Sequence, residues 1–165
     1  MKVIQVLFSI FVIFHPFNAV LALSSDVTHV VLLKSERKLQ LLHKDKVLKE
    51  YEVALGFEPE GAKKQEGDGK TPEGKYTLDY RNPQSSYHKS IHISYPNQQD
   101  KEQARKRGLS PGGAVFIHGL RRPFGFLGKL HLLKDWTLGC VAVTNEEIDE
   151  IWAIVKNGTS IEIKK

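Results

Sequence analysis

The chain has 165 residues, 41% hydrophobic and 26% charged, which is material for one compact domain and no more. Its net charge of +5 is spread along the chain, with no run denser than Arg105-Lys106-Arg107 and no aromatic residues interleaved with a basic stripe, which argues against nucleic acid as a partner. The one cysteine, Cys140, excludes an internal disulfide.

Residues 1–22 begin with Lys2, run almost without a polar side chain through 3–14, and end in small residues around Ala19 and Ala22. That layout predicts a secretory signal peptide, cut after Ala22, with residues 23–165 as the domain. A retained N-terminal anchor is the alternative reading, but the apolar run is short of the about 20 residues a spanning helix needs, and Pro16 and Asn18 interrupt it. Both readings place the domain outside the cytoplasm, in the periplasm or cell envelope, with no stable membrane span once the signal is removed. An unpaired thiol would there face an oxidising compartment. Cysteine is often buried for packing alone, yet this one sits in a glycine-flanked turn after a tryptophan, a position suited to chemistry.

Residues 27–33 are rich in β-branched side chains and predict a strand. Residues 38–42 and 47–55 predict two more, joined by the polar turns Lys34-Ser35-Glu36-Arg37 and Lys44-Asp45-Lys46 into an antiparallel meander, with His29 and His43 as strand-surface residues. Residues 56–74 form a long glycine-rich loop. Its Gly69-Lys70-Thr71 triplet is not a phosphate loop, because Lys64 stands where the motif's first glycine belongs and residues 75–80 continue as a strand, not a helix. Pro83 ends that strand. Residues 90–95 alternate, placing Ile91, Ile93 and Tyr95 on one face and His92 and Ser94 on the other. His88 and His92 would stand roughly 13 Å apart along a strand at about 3.3 Å per residue, so they make no metal pair.

Residues 98–107 predict a short polar helix ended by Gly108, and the apolar run 114–117 predicts a strand that delivers His118-Gly119 at its end. Residues 119–135 read as a loop, and 141–143 as a short apolar strand. Thr144 with Glu147 forms a capping box, and Ile148, Ile151, Trp152 and Val155 then fall on one helix face, with Gly158 closing the helix. Residues 159–163 predict a last strand.

The chemistry-bearing pair is Cys140 and His118. A thiolate attacks acyl carbon well, and a nearby imidazole lowers the cost of making one. The other ring nitrogen of His118 needs an acceptor to set the tautomer, for which the carbonyl of Gly119 would serve. Amides around Gly139 and Cys140 are candidate donors to a developing oxyanion. His92, on the polar strand face, and the loop residues His131, Arg121 and Arg122 are further candidates, the arginines for a substrate carboxylate. The spacing of His118, His131 and Cys140 fits no standard zinc pattern, and no metal or other cofactor is expected.

Ile117-His118-Gly119 followed by Thr137-Leu138-Gly139-Cys140-Val141 resembles the catalytic signature of the L,D-transpeptidases, the YkuD-like domain family. The segment from Gly67-Asp68 through Thr71-Pro72-Glu73-Gly74 to Tyr76 is similar to a second motif of that family. Residues 90–97 and 136–145 resemble its branch of small exported murein L,D-transpeptidases. The resemblance covers residues 27–163. It implies a mainly β fold with a few short helices, a β-sandwich-type catalytic domain with Cys140 as nucleophile, His118 as base, and Gly119 and Gly139 in support. His92, Tyr95, His131, Trp136, Thr137 and Arg121 are then expected to contact substrate. The implied partner is a peptidoglycan stem peptide whose L,D bond acylates the cysteine. Resolution by another stem's amine gives a cross-link and by water gives hydrolysis, while some relatives attach a lipoprotein to the wall or detach it. A non-catalytic wall-binding module is the reading from another class. Many members carry histidine two residues before the cysteine and arginine two after; this chain has Leu138 and Ala142, with His131 as a replacement for the missing histidine.

Overall fold

The structure, a computed structural model, describes residues 26–165, so the expected signal peptide lies outside the described residues. Strands form at His29–Leu33 (β1), Lys38–His43 (β2), Lys46–Glu52 (β3), Gly74–Asn82 (β4) and Ser90–Ile93 (β5). Helix Gln98–Lys106 (α1), strands Phe116–His118 (β6) and Val141–Ala142 (β7), helix Asn145–Ile154 (α2) and strand Thr159–Lys164 (β8) follow. The strands make one sheet in the order β3-β2-β1-β8-β4-β5-β6-β7. The expected meander is present: β1 pairs with β2 and β2 with β3, both antiparallel. β8 then returns to the middle, parallel to β1 and antiparallel to β4.

Alternation along these strands builds the core. Val30 lies opposite Leu41 on one side and Ile161 on the other, and Leu32 lies between Leu39 and Ile163, all buried. Ile91, Ile93 and Tyr95 fall on the buried face of β5 and its extension, as their spacing predicts. Ile148 and Ile151 of α2 join the same cluster, and burying each such side chain is worth about 1.5–3 kcal/mol. The capping box is as predicted: Thr144 Oγ1 accepts the Glu147 amide at 3.2 Å and the Glu147 carboxylate accepts the Thr144 amide at 2.9 Å. The helix stops earlier than Gly158, at Ile154, because Val155 is extended and turns its side chain into the core. Gly158, at φ 90°, instead makes the turn into β8.

Two further expectations change. Residues 119–135 are not all irregular: Phe124–Leu133 forms a 3-10 segment kinked at Gly128, whose φ is 47°. A run that is apolar nearly all round carries no 3.6-residue stripe from which to read a helix. The third strand also leaves the β2 ladder after Glu52 instead of continuing to Leu55. Residues 53–57 cross to the far edge of the sheet, where Ala54 and Ala142 exchange hydrogen bonds of 3.0 and 2.8 Å, and the Phe57 amide donates to Thr137 O at 3.0 Å. One sheet thereby curls over its own core, and this curl supplies the sandwich-type layering expected of the domain.

Where the ends meet, three main chains touch through glycines. A Cβ on Gly56 would lie 2.0 Å from Gly69 O, and one on Gly139 would lie 2.5 Å from Lys70 O. The 56–74 loop that supplies Gly69 and Lys70 is held from below by buried Lys34, whose ammonium donates to Gly61 O, Thr71 O and Glu73 Oε1 at 2.7, 3.0 and 2.8 Å. Gly56→Ala is expected to cost about 3 kcal/mol or more, the upper part of the overpacking range, because a backbone carbonyl cannot swing aside. Gly61→Ala, at φ 78° with open space around it, should lose only the about 1–2 kcal/mol of a left-handed alanine. Urea unfolding midpoints compare the two; equal losses would show that the close approach at Gly56 carries no special constraint.

Candidate active site

Register brings the chemical groups together. Ser90 pairs with His118, and Asn82 with Ser90, so Asn82, Ser90 and His118 form one row across β4, β5 and β6. On the other side β6 runs parallel to β7 with Ile117 opposite Val141, which sets Cys140 level with Phe116. Phe116 and His118 are two apart and share a face, so Cys140 and His118 share it too. These residues line one cavity of about 410 Å³, closed by Tyr87, Trp136 and Thr137, with Ala114 and Leu138 at its edge. A larger hollow of about 610 Å³ lies between Lys34, Arg37 and Glu73; neither a cysteine nor a histidine lines it, whereas the smaller cavity holds both.

His118 is 4% exposed, with the Tyr87 and Trp136 rings packed against it at centroid distances of 4.5 and 5.8 Å. Its Nδ1 lies 2.6 Å from Gly119 O. A carbonyl only accepts, so Nδ1 carries the proton and the neutral ring keeps Nε2 as its basic nitrogen. Burial pushes the imidazole down to about 4, outweighing the Gly119 hydrogen bond that pulls it up, and His131 adds a small push in the same direction as burial. The loop after His118 is fixed by Asn145 Oδ1, which accepts the Leu120 amide at 2.8 Å. A Cβ on Gly119 would lie 2.7 Å from that same oxygen, which explains the glycine.

Cys140 is half-buried, with Sγ 3.6 Å from Ala114 O. Burial pushes its thiol up, against opposing pulls from the Phe116 amide and the Lys63 ammonium. Lys63 is itself buried against Asp68, Nζ to Oδ1 2.8 Å. Burial raises the Asp68 carboxyl, but Lys63 and the amides of Lys64, Gln65 and Lys70 outweigh it and leave the group below the usual carboxylate range. Gly69-Lys70-Thr71 thus belongs to an ion-paired turn under the cysteine loop. Thr137 clamps that loop: its hydroxyl donates to Cys140 O at 2.8 Å and accepts the Gly139 amide at 3.1 Å. The Gly139 N–H is therefore engaged within the turn, and its φ of 123° is what lets the turn form.

The remaining sequence candidates separate. Trp136 and Thr137 line the cavity. His92 is on the right face, opposite Phe116 and one row from His118, but it does not line the cavity, and its Nδ1 lies 2.7 Å from Asp79 Oδ1. Tyr95 is 3% exposed on the core face and its hydroxyl donates to Pro111 O at 2.9 Å, so it does not reach the cavity. His131, Arg121 and Trp136 line a second, adjoining cavity of about 400 Å³, which shares Tyr87 and Trp136 with the first. Leu138 is 73% exposed, while Ala142 is sealed against Ala54, with no room for an arginine. Tyr87, Ser90, Asn82 and Asn145 went unread as site residues. Ser90 was legible from its alternation with His92; Tyr87 lies in a stretch with no period to follow.

Comparison with known proteins agrees with this geometry. Residues 27–163 match the family model described as the L,D-transpeptidase catalytic domain, YkuD. YafK of Escherichia coli (strain K12) is 30% identical over 139 residues, 81% of this chain and 49% of YafK. The crystal structure of the helical cell shape determining protein Pgp2 from Campylobacter jejuni superposes with a TM-score of 0.63 at 26% identity, covering 82% of this chain and 46% of Pgp2. Bd1075 of Bdellovibrio bacteriovorus gives a TM-score of 0.58 at 25% identity over 86% of this chain and 49% of Bd1075. The chain spans about half the length of these relatives. On the family match across nearly all described residues, the chain belongs to the YkuD family of L,D-transpeptidase catalytic domains.

Proposed function

We propose that the protein is an exported L,D-transpeptidase that acts on peptidoglycan stem peptides in the periplasm or cell envelope through a Cys140 thioester. The observation that carries this reading is the sharing of one cavity by Cys140 and a His118 whose Nδ1 proton is committed to Gly119 O. The role of Pgp2 in cell shape supports a wall substrate for a chain of the same fold and family.

The thiol held up and the imidazole held down favour a resting pair that is neutral on both sides. Proton transfer then accompanies attack. His118 Nε2 takes the Sγ proton as Sγ bonds to the substrate carbonyl carbon. The same proton passes to the departing amine nitrogen as the amide C–N bond breaks, leaving the thioester. With the Gly139 amide engaged by Thr137, the Cys140 amide is the turn's remaining donor to the oxyanion. In the second half, His118 Nε2 takes a proton from the acceptor, which attacks the thioester and returns Cys140 as the thiol. An amine acceptor gives a cross-link or a lipoprotein attachment, and water gives hydrolysis.

Incubation with purified tetrapeptide stems followed by mass spectrometry should detect an adduct on the wild-type protein and none on Cys140→Ala, with donor turnover lost by at least about a thousandfold. Cross-linked dimers or shortened stems among the products identify the acceptor. No adduct on wild type would return the protein to the wall-binding class.

The pH dependence is a separate test. Since His118 stays neutral down to about 4, the acid limb of kcat/KM should bend near that pH and not near 6.5. Alkylation of Cys140 by iodoacetamide should still be climbing above pH 9, because burial raises the thiol. A plateau reached below pH 7 would instead indicate a preformed thiolate–imidazolium pair.

A further inference from the structure

Two peptide planes meet at Gly119, and each is held at both ends. In the first, His118 O accepts the Val143 amide at 3.0 Å and the Gly119 amide donates to Lys89 O at 3.3 Å. In the second, Gly119 O accepts from His118 Nδ1 at 2.6 Å and the Leu120 amide donates to Asn145 Oδ1 at 2.8 Å. A trans peptide is rigid, with its C=O and N–H pointing opposite ways, so this plane cannot turn at one end alone. A backbone N–H only donates, which identifies the Asn145 atom facing it as the oxygen. Of these bonds, only the last uses a side chain other than the imidazole itself. The loop is also shaped around that side chain: a Cβ on Gly119 would lie 2.7 Å from Asn145 Oδ1, and one on Gly125 would lie 2.5 Å from Nδ2. Glycine at 119 gives the plane its freest backbone torsions, so the residue that requires the glycine is the one that restrains it. Asn145 is itself placed by the first turn of α2, which Thr144 and Glu147 cap reciprocally.

We infer that Asn145 is a positioning residue for His118: through the Gly119–Leu120 peptide it holds the imidazole in the tautomer protonated at Nδ1, and so keeps Nε2 free to take the thiol proton. The inference rests on the acyl-enzyme reading and deepens it. Without the Asn145 acceptor the plane can rotate, and Gly119 O then leaves Nδ1. The tautomer with its proton on Nε2 becomes populated, and in that form Nε2 cannot accept from Sγ. The ring itself stays packed by Tyr87 and Trp136. Loss of Asn145 therefore removes the assignment of the proton and not the shape of the cavity, which leaves substrate binding in place. The stretch from Cys140 to Asn145 thus carries the sulfur at one end and the restraint on its proton acceptor at the other.

Long-range proton–nitrogen NMR of the full chain at neutral pH reads the ring nitrogens of His118, assigned against His118→Gln. The wild type should show Nδ1 protonated and Nε2 unprotonated; the reverse overturns the inference without any Asn145 variant. In Asn145→Ala both nitrogens should move to intermediate values, and kcat on tetrapeptide stems should fall about 10- to 100-fold with KM held within about twofold. Asn145→Asp keeps an acceptor for the Leu120 amide, and its charge suits the first turn of a helix, so it should restore the wild-type nitrogens and most of kcat. A structural role alone would lower the urea midpoint of Asn145→Ala while leaving the nitrogens and kcat as in the wild type, and that outcome overturns the inference. An Asp variant no better than the Ala variant does so as well. Thioester formation on the wild type keeps the two proposals apart: an adduct at Cys140 with His118 nitrogens indifferent to Asn145→Ala removes the positioning role alone, and no adduct removes the catalytic reading and the positioning role with it.

Discussion

The backbone pairing of residues 53–57 onto residues 137–142 is the constraint on which the site depends. β7 is two residues long, too short to hold a register by itself, and Cys140 stands just before it. Parallel pairing with β6 fixes β7 on one side, and the Ala54–Ala142 bonds fix it on the other. Cys140 is thereby held level with Phe116 and on the face of His118. The contact needs the absence of side chains at Gly56 and Gly139, whose Cβ atoms would strike the carbonyls of Gly69 and Lys70. The glycine-rich loop of residues 56–74 is therefore a structural wedge under the cysteine turn, and the Lys63–Asp68 pair inside it also places a positive charge within reach of the thiol.

That same closure sets the electrostatics. A deeply packed His118 loses stability when charged, and a half-buried thiol loses stability when ionised. The Lys63 ammonium pulls the other way on the thiol without overcoming burial. Under the proposed reaction, charge separation at the resting pair would then occur only as the substrate carbonyl is attacked. For His118 the depressed value also has a stability consequence. The unfolded chain takes up a proton near 6.5 and the folded chain only near 4, so folding free energy is lost as the pH falls through that window and is fully present above it.

Much of this was legible in the sequence, for identifiable reasons. Cys140 and His118 declared themselves by chemistry and by position, one in a glycine turn and one at the end of an apolar run. The role of the Gly119 carbonyl followed from the need of a neutral imidazole for an acceptor. The Thr144–Glu147 box and the two faces of β5 followed from local spacing alone. Long-range register was not legible. His92 was read onto the correct face, but its row is decided by pairing with Phe116, which no local pattern encodes. Tyr95 had been set on the apolar face by alternation, and that alternation is a better guide to its place than its presence in a family-like motif. Residues 53–57 continue a strand-like composition, and only the closure of the sheet shows that they have changed partners.

The departures at Leu138 and Ala142 are explained by the same geometry. Position 142 lies between Ala54 and His118 in the closed sheet, so a long cation there would have to break the closure that holds Cys140. Position 138 points to solvent at the cavity edge, where a leucine adds no hydrogen bond to the turn. The work of fixing the turn falls instead to Thr137, which bonds both Gly139 and Cys140, and to the main-chain contacts beneath it. Polar groups missing beside the sulfur recur on the far side of Trp136, where His131 and Arg121 border a hollow of their own.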